Sequence, residues 1–104
     1  MKTLGKSILW MELLFCTLSV SAGDAVMVKD IKSGGSTSHS NPYSLTAINN
    51  VLYFGADDGT NGTELWKSDG TAAGTVLVKN IHTTAGTGSS PMYFKKIGST
   101  LFFS

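Results

Sequence analysis

Two stretches of this chain repeat one another, and that repetition limits the folds open to it more than any other feature. The stretch "VMVKDIKSGGSTSHSNPYSLTAINNVLYFG", from Val26, aligns with "VLVKNIHTTAGTGSSPMYFKKIGSTLFFS", from Val76. Val26, Val28, Lys29, Asp30 and Ile31 fall on Val76, Val78, Lys79, Asn80 and Ile81, and Pro42 falls on Pro91. The offset is fifty residues at the start and forty-nine from the prolines onward, as a one-residue loop deletion would give. Periods of about 20–50 residues mark arrays of supersecondary units that bury their faces only against their neighbours.

Within one period the strand signals are plain. "SLTAI" and "VLYFGA" are β-rich runs separated by Asn49-Asn50, a two-residue link suited to a hairpin turn with positive φ. "ELWKS" follows "DDGTNGT", and "TVLVKNI" follows "DGTAAG", both turns rich in Gly and Asp. Alternation puts Val51, Tyr53 and Gly55 on one face of a strand and Leu52, Phe54 and Ala56 on the other. Strands apolar on both sides want a sheet covered on both sides. The expected fold class is therefore all-β: antiparallel four-stranded blades of a β-propeller-like array. One complete blade is expected over 45–81, with parts of two neighbours in 23–104, and "VMVKDI" is read as a blade-completing strand. A stacked β-solenoid is the alternative architecture.

The first 22 residues read differently. Lys2 and Lys6 precede an apolar run that ends at Val20-Ser21-Ala22, the pattern of a signal peptide, a short helix cleaved before Gly23. Residues 7–22, interrupted by Glu12, fall short of the roughly 20 apolar residues of a stable membrane span. Cys16, the single cysteine, lies in this segment behind a bulky Phe15, which does not suit a lipoprotein signal. The remaining chain has no thiol for a disulfide, a metal site or a nucleophile. The expected address is secreted or cell-surface.

Charge then excludes one class of partner. Lys29, Lys32, Lys67, Lys79, Lys95 and Lys96 balance Asp24, Asp30, Asp57, Asp58, Glu64 and Asp69, and there is no arginine. A neutral chain without a basic stripe is not expected to bind nucleic acid.

These residues carry a resemblance. "GTELWKSDGTAAGTVLVKNI" resembles the bacterial ELWxxDGT repeat family of secreted and surface proteins, some described as hyalin-like. The motif stands as Glu64-Leu65-Trp66-Lys67-Ser68-Asp69-Gly70-Thr71, and the resemblance covers about residues 26–104. It implies a propeller-like scaffold outside the cell, with Glu64, Leu65, Trp66, Asp69, Gly70 and Thr71 as structural motif residues, and no shared reaction. The chain holds one ELW motif, so it is read as a fragment of a longer repeat protein whose partners are its neighbouring blades. Phe102 and Phe103 are expected to lie exposed.

The stretch "GADDGTNGTELWKSDGTAAGT" raises the question of a site. Asp57, Asp58, Asn61 and Glu64 are oxygen donors close enough in sequence to suggest a weak calcium loop, since calcium takes six to eight oxygens. The D-x-[DN]-x-[DN]-G order and its closing glutamate are absent. The other reading is a pair of β-turns in which Asp and Thr cap backbone N–H groups while Gly59, Gly62 and Gly70 take positive φ. A phosphate cradle is rejected, because the P-loop order is missing and acidic residues repel phosphate. His39 and His82 sit in or beside Ser/Thr/Gly-rich loops with no nucleophile elbow or paired-His motif. Trp66 is expected to pack between blades and not to stack on a sugar.

The expectation is thus a non-catalytic binding or adhesion scaffold, without a cofactor unless calcium stabilises it. Extracellular protein or polysaccharide is the expected ligand, met by the "SGGSTSHSNP" and "HTTAGTGSSP" loops. The alternative is a non-catalytic portion of a secreted hydrolase or lyase.

Overall fold

The computed structural model describes residues 26–34 and 38–104. The expected signal peptide lies outside these residues. Among the described residues the structure is all-β, with no helix. Six strands follow in order: β1 Tyr43–Ile48, β2 Val51–Asp57, β3 Thr63–Ser68, β4 Val76–Lys79, β5 Lys95–Ile97 and β6 Thr100–Phe102. The first four form one antiparallel sheet in sequence order, and β5 and β6 form a separate hairpin.

Local chemistry explains the sheet. Asn49 and Asn50 take φ of 50° and 65° and close the β1–β2 hairpin, since asparagine tolerates the left-handed region better than most residues. The β2–β3 ladder is unbroken from Leu52↔Ser68 to Asp57↔Thr63. The β3–β4 ladder slips between Leu65↔Lys79 and Trp66↔Leu77, so Val78 is the extra residue of a bulge.

The two faces are built differently. On the first, Phe54, Ala56 and Trp66 form the core, with Leu52, Leu77 and Ile31 packed against them. On the second, the Tyr43 ring lies over Gly55, so close that a Cβ there would meet Tyr43 Cε1 at 2.6 Å. Leu65 and Ile48, which share that second face by register, are also buried.

The structure shortens one expected strand and replaces another. β4 stops at Lys79, and Asn80 turns back towards β3 instead of continuing the ladder to Ile81. Val26–Ile31 has no ladder partner among the described residues and crosses the first face as an irregular segment. Ile31 there packs on the core, while Lys29 Nζ donates to the Thr75 carbonyl at 2.9 Å. Lys32 Nζ pairs with Asp57 Oδ2 at 2.5 Å. Side-chain contacts therefore hold this segment in place of a ladder.

The β5–β6 hairpin copies the first hairpin forty-nine residues on. Thr46↔Tyr53, Ala47↔Leu52 and Ile48↔Val51 become Lys95↔Phe102, Lys96↔Leu101 and Ile97↔Thr100. Tyr43↔Gly55 has its counterpart in Met92 and Ser104, whose backbones exchange hydrogen bonds of 2.9 and 3.1 Å. Positive φ recurs as well: Asn41 at 45° and Ser90 at 50°, Ser44 at 56° and Tyr93 at 55°.

Candidate functional site

The acidic stretch between β2 and β3 resolves into hydrogen-bonded turns. Asp57 Oδ1 accepts from Gly59 N at 2.7 Å, while its other oxygen meets Lys32. Asp58 Oδ1 accepts from Thr60 N at 2.9 Å and from Asn61 N at 2.7 Å, and its Oδ2 accepts from the Asn61 amide at 2.7 Å. Gly59 and Gly62 take φ of 82° and 79°, where a side chain would be strained. Hydrogen bonds from Lys32 and from Gly59 N hold the Asp57 carboxyl below its ordinary value. Partial burial pushes Asp58 the other way, but the donors at Asn61 and Thr60 outweigh it and its pKa also falls.

Glu64 faces elsewhere. Its register partner is Ala56, which places it on the Trp66 face at the end of the sheet, fully buried. Its Oε1 accepts from His82 N at 2.9 Å, and its Oε2 accepts from Ser89 N at 3.2 Å and from Ser89 Oγ. The Asn80 side-chain amide lies beside Glu64 Oε1 and the His82 carbonyl, at 3.0 and 2.9 Å. A buried carboxylate is costly unless donors surround it, and here the chain after β4 supplies them. Partial burial, and to a lesser degree the Glu64 carboxylate, raises the pKa of the Tyr43 hydroxyl.

The second turn uses the DGT residues in the same economical way. Asp69 Oδ1 accepts from Thr71 N at 3.0 Å and from Thr71 Oγ1 at 2.7 Å, and Thr71 Oγ1 accepts from Gly74 N at 2.9 Å. These donors hold Asp69 below its usual pKa, the Thr71 hydroxyl first. Gly70 takes φ of 93° and Ser68 Oγ accepts its N–H at 3.0 Å. Buried Thr75 closes the turn through Ser68 Oγ at 2.7 Å and the Thr71 carbonyl at 2.6 Å.

The motif residues thus divide by task. Leu65 and Trp66 fill opposite faces, Glu64 anchors the following loop, and Asp69, Gly70 and Thr71 shape the β3–β4 turn. Trp66 is buried and packs with Phe54, so it does not offer a ring face to a sugar. Of the four candidate calcium donors, Asp58 and Asn61 meet within one turn, Asp57 caps Gly59 and pairs with Lys32, and Glu64 reaches the 82–89 loop. His82 is exposed, with Nδ1 2.6 Å from Thr87 Oγ1, and His39 is exposed. Sequence reasoning missed Ser89, Gly88 and Thr75. Glu64 carried a usable signal, because strand alternation places it on the same face as Trp66.

The "HTTAGTGSSP" loop is only partly free. Its far end is pinned by Glu64, by Ser90 N donating to the Thr63 carbonyl at 2.9 Å, and by a parallel bridge between Thr63 and Gly88. Thr83–Thr87 remain exposed. Comparison of the chain with protein-family models, with curated proteins and with solved structures finds no match.

Proposed function

We propose that this chain is part of an exported repeat protein of the ELWxxDGT kind, and that it serves as a non-catalytic, β-propeller-like scaffold for binding or adhesion at the cell surface. The observation that carries this reading is the copied hairpin: β5–β6 repeats the register of β1–β2, the three-residue step from Tyr43 to Thr46 in the step from Met92 to Lys95, and the positive φ of Asn41 and Ser44 in Ser90 and Tyr93. A unit that recurs with its irregularities is a unit built for stacking. The sheet's two apolar faces support the same reading, because a four-stranded sheet buried on both sides needs neighbours. Every carboxylate of the Gly-rich stretch is engaged in turn or loop hydrogen bonds, which suits a rigid carrier of exposed loops such as Thr83–Thr87.

The export half of the proposal is tested by fusing the full chain to an alkaline phosphatase reporter, active only outside the cytoplasm, in a bacterial host. Phosphatase activity and a mature N-terminus at Gly23 are expected. An inactive fusion that retains Met1 would overturn the exported-scaffold reading.

A further inference from the structure

Among the described residues the copied hairpin has no counterparts of β3 and β4. β2 pairs with β1 on one edge and with β3 on the other, whereas β6 pairs with β5 alone among the described residues. The side chains register the same deficit. Phe54 is 5% exposed beneath Trp66, while its counterpart Phe103 is 40% exposed. Ile31 packs against the Phe54–Trp66 core, while its counterpart Ile81 is 42% exposed. Phe103 meets a tilted aromatic neighbour, Phe94, with ring centroids 5.8 Å apart.

From this we infer that the free edge of β6 and the Phe103 face form a docking surface for one kind of occupant: a strand pair of the β3–β4 type. Its first strand runs antiparallel to β6 and sets a tryptophan opposite Phe103, as Trp66 stands opposite Phe54. The edge supplies unpaired backbone groups, and the half-exposed aromatic supplies an apolar seat. The commitment to tryptophan comes from the shared register. Residues at Phe54 and Phe103 occupy the same place in two hairpins of one geometry, and only one of the two has its partner. The inference deepens the repeat element of the proposed function and does not depend on export.

The test uses the full chain with a second copy of Ala56–Ile81 joined after Ser104, the residue that stands where Gly55 stands. Hydrogen exchange at the Thr100–Phe103 amides is expected to slow by about ten-fold or more relative to the parent chain. Replacing the grafted tryptophan by alanine is expected to remove most of that protection. A synthetic peptide spanning Thr60–Ile81, added to the parent chain, gives a second readout: chemical-shift changes confined to β6 and Phe103 support the inference. Unchanged β6 exchange in a graft whose own strands are protected would sink it. So would concentration-dependent protection of β6 in the parent chain, which would make the occupant a second copy. The phosphatase result is independent of all these outcomes, so the two readings fail separately.

Discussion

Gly62 and Gly88 press backbone to backbone where the chain after β4 crosses the start of β3. A Cβ on Gly62 would lie 2.5 Å from Gly88 N, and both residues hold positive φ, at 79° and 70°. The contact brings Ser89 within reach of Glu64, so the glycine pair and the buried carboxylate form one junction.

Either glycine replaced by alanine therefore meets a steric and a conformational cost together. Gly62→Ala or Gly88→Ala is expected to destabilise the fold by about 2–3 kcal/mol, against a negligible loss for Gly86→Ala at the open loop tip beyond its positive-φ strain. Urea unfolding followed by far-UV circular dichroism measures the difference.

Glu64 makes a second prediction. Alanine there leaves the His82 and Ser89 N–H groups without their acceptor, at an expected cost of about 2–4 kcal/mol, whereas glutamine keeps one acceptor and costs about 1–2 kcal/mol. Exchange of the His82 and Ser89 amides should accelerate in Glu64→Ala more than that of β2 amides. Equal acceleration everywhere would show that the carboxylate does not hold the loop.

Trp66 separates size from hydrogen bonding. Its Nε1 is buried with no partner among the described residues, so phenylalanine removes an unmet donor along with some volume. Trp66→Phe is expected to cost about 1 kcal/mol and Trp66→Ala about 3–5 kcal/mol. Denaturant midpoints of the two variants decide this; equal losses would show that the indole N–H matters.

Acid should loosen the β2–β3 turn first. Asp57 and Asp58 both titrate below their ordinary value of 3.8, so their stabilisation is complete above that value and is lost as pH falls through the lowered ones. The melting temperature should stay level above about pH 4 and decline below it. Each group contributes roughly 1 kcal/mol or less, because the Lys32–Asp57 pair is partly open to solvent. A double variant, Asp57→Asn with Asp58→Asn, should show a flatter acid limb.

Much of this was legible in the residues. Asn49-Asn50 announced a hairpin because few residues other than glycine tolerate that backbone, and the structure puts both at positive φ. The turn glycines Gly59, Gly62 and Gly70 were legible for the same reason. Strand faces followed from alternation, which is a local property of extended chain. The buried role of Trp66 followed from its place in mid-strand. The segment Val26–Ile31 shares the apolar pattern of β4 but has no ladder among the described residues, because pattern says nothing about whether an edge is there to pair with.

What the sequence by itself determined, then, is whatever short-range chemistry decides: turn positions, strand faces, and the roughly fifty-residue period. Only the tertiary structure decided where Glu64 points, which glycines must lie against each other, and how a lysine from the opening segment meets Asp57. Those outcomes join residues 18 to 26 positions apart, as with Glu64 to His82 and Gly62 to Gly88. Their partners are chosen by how loops cross over a finished sheet, and no local preference encodes that crossing.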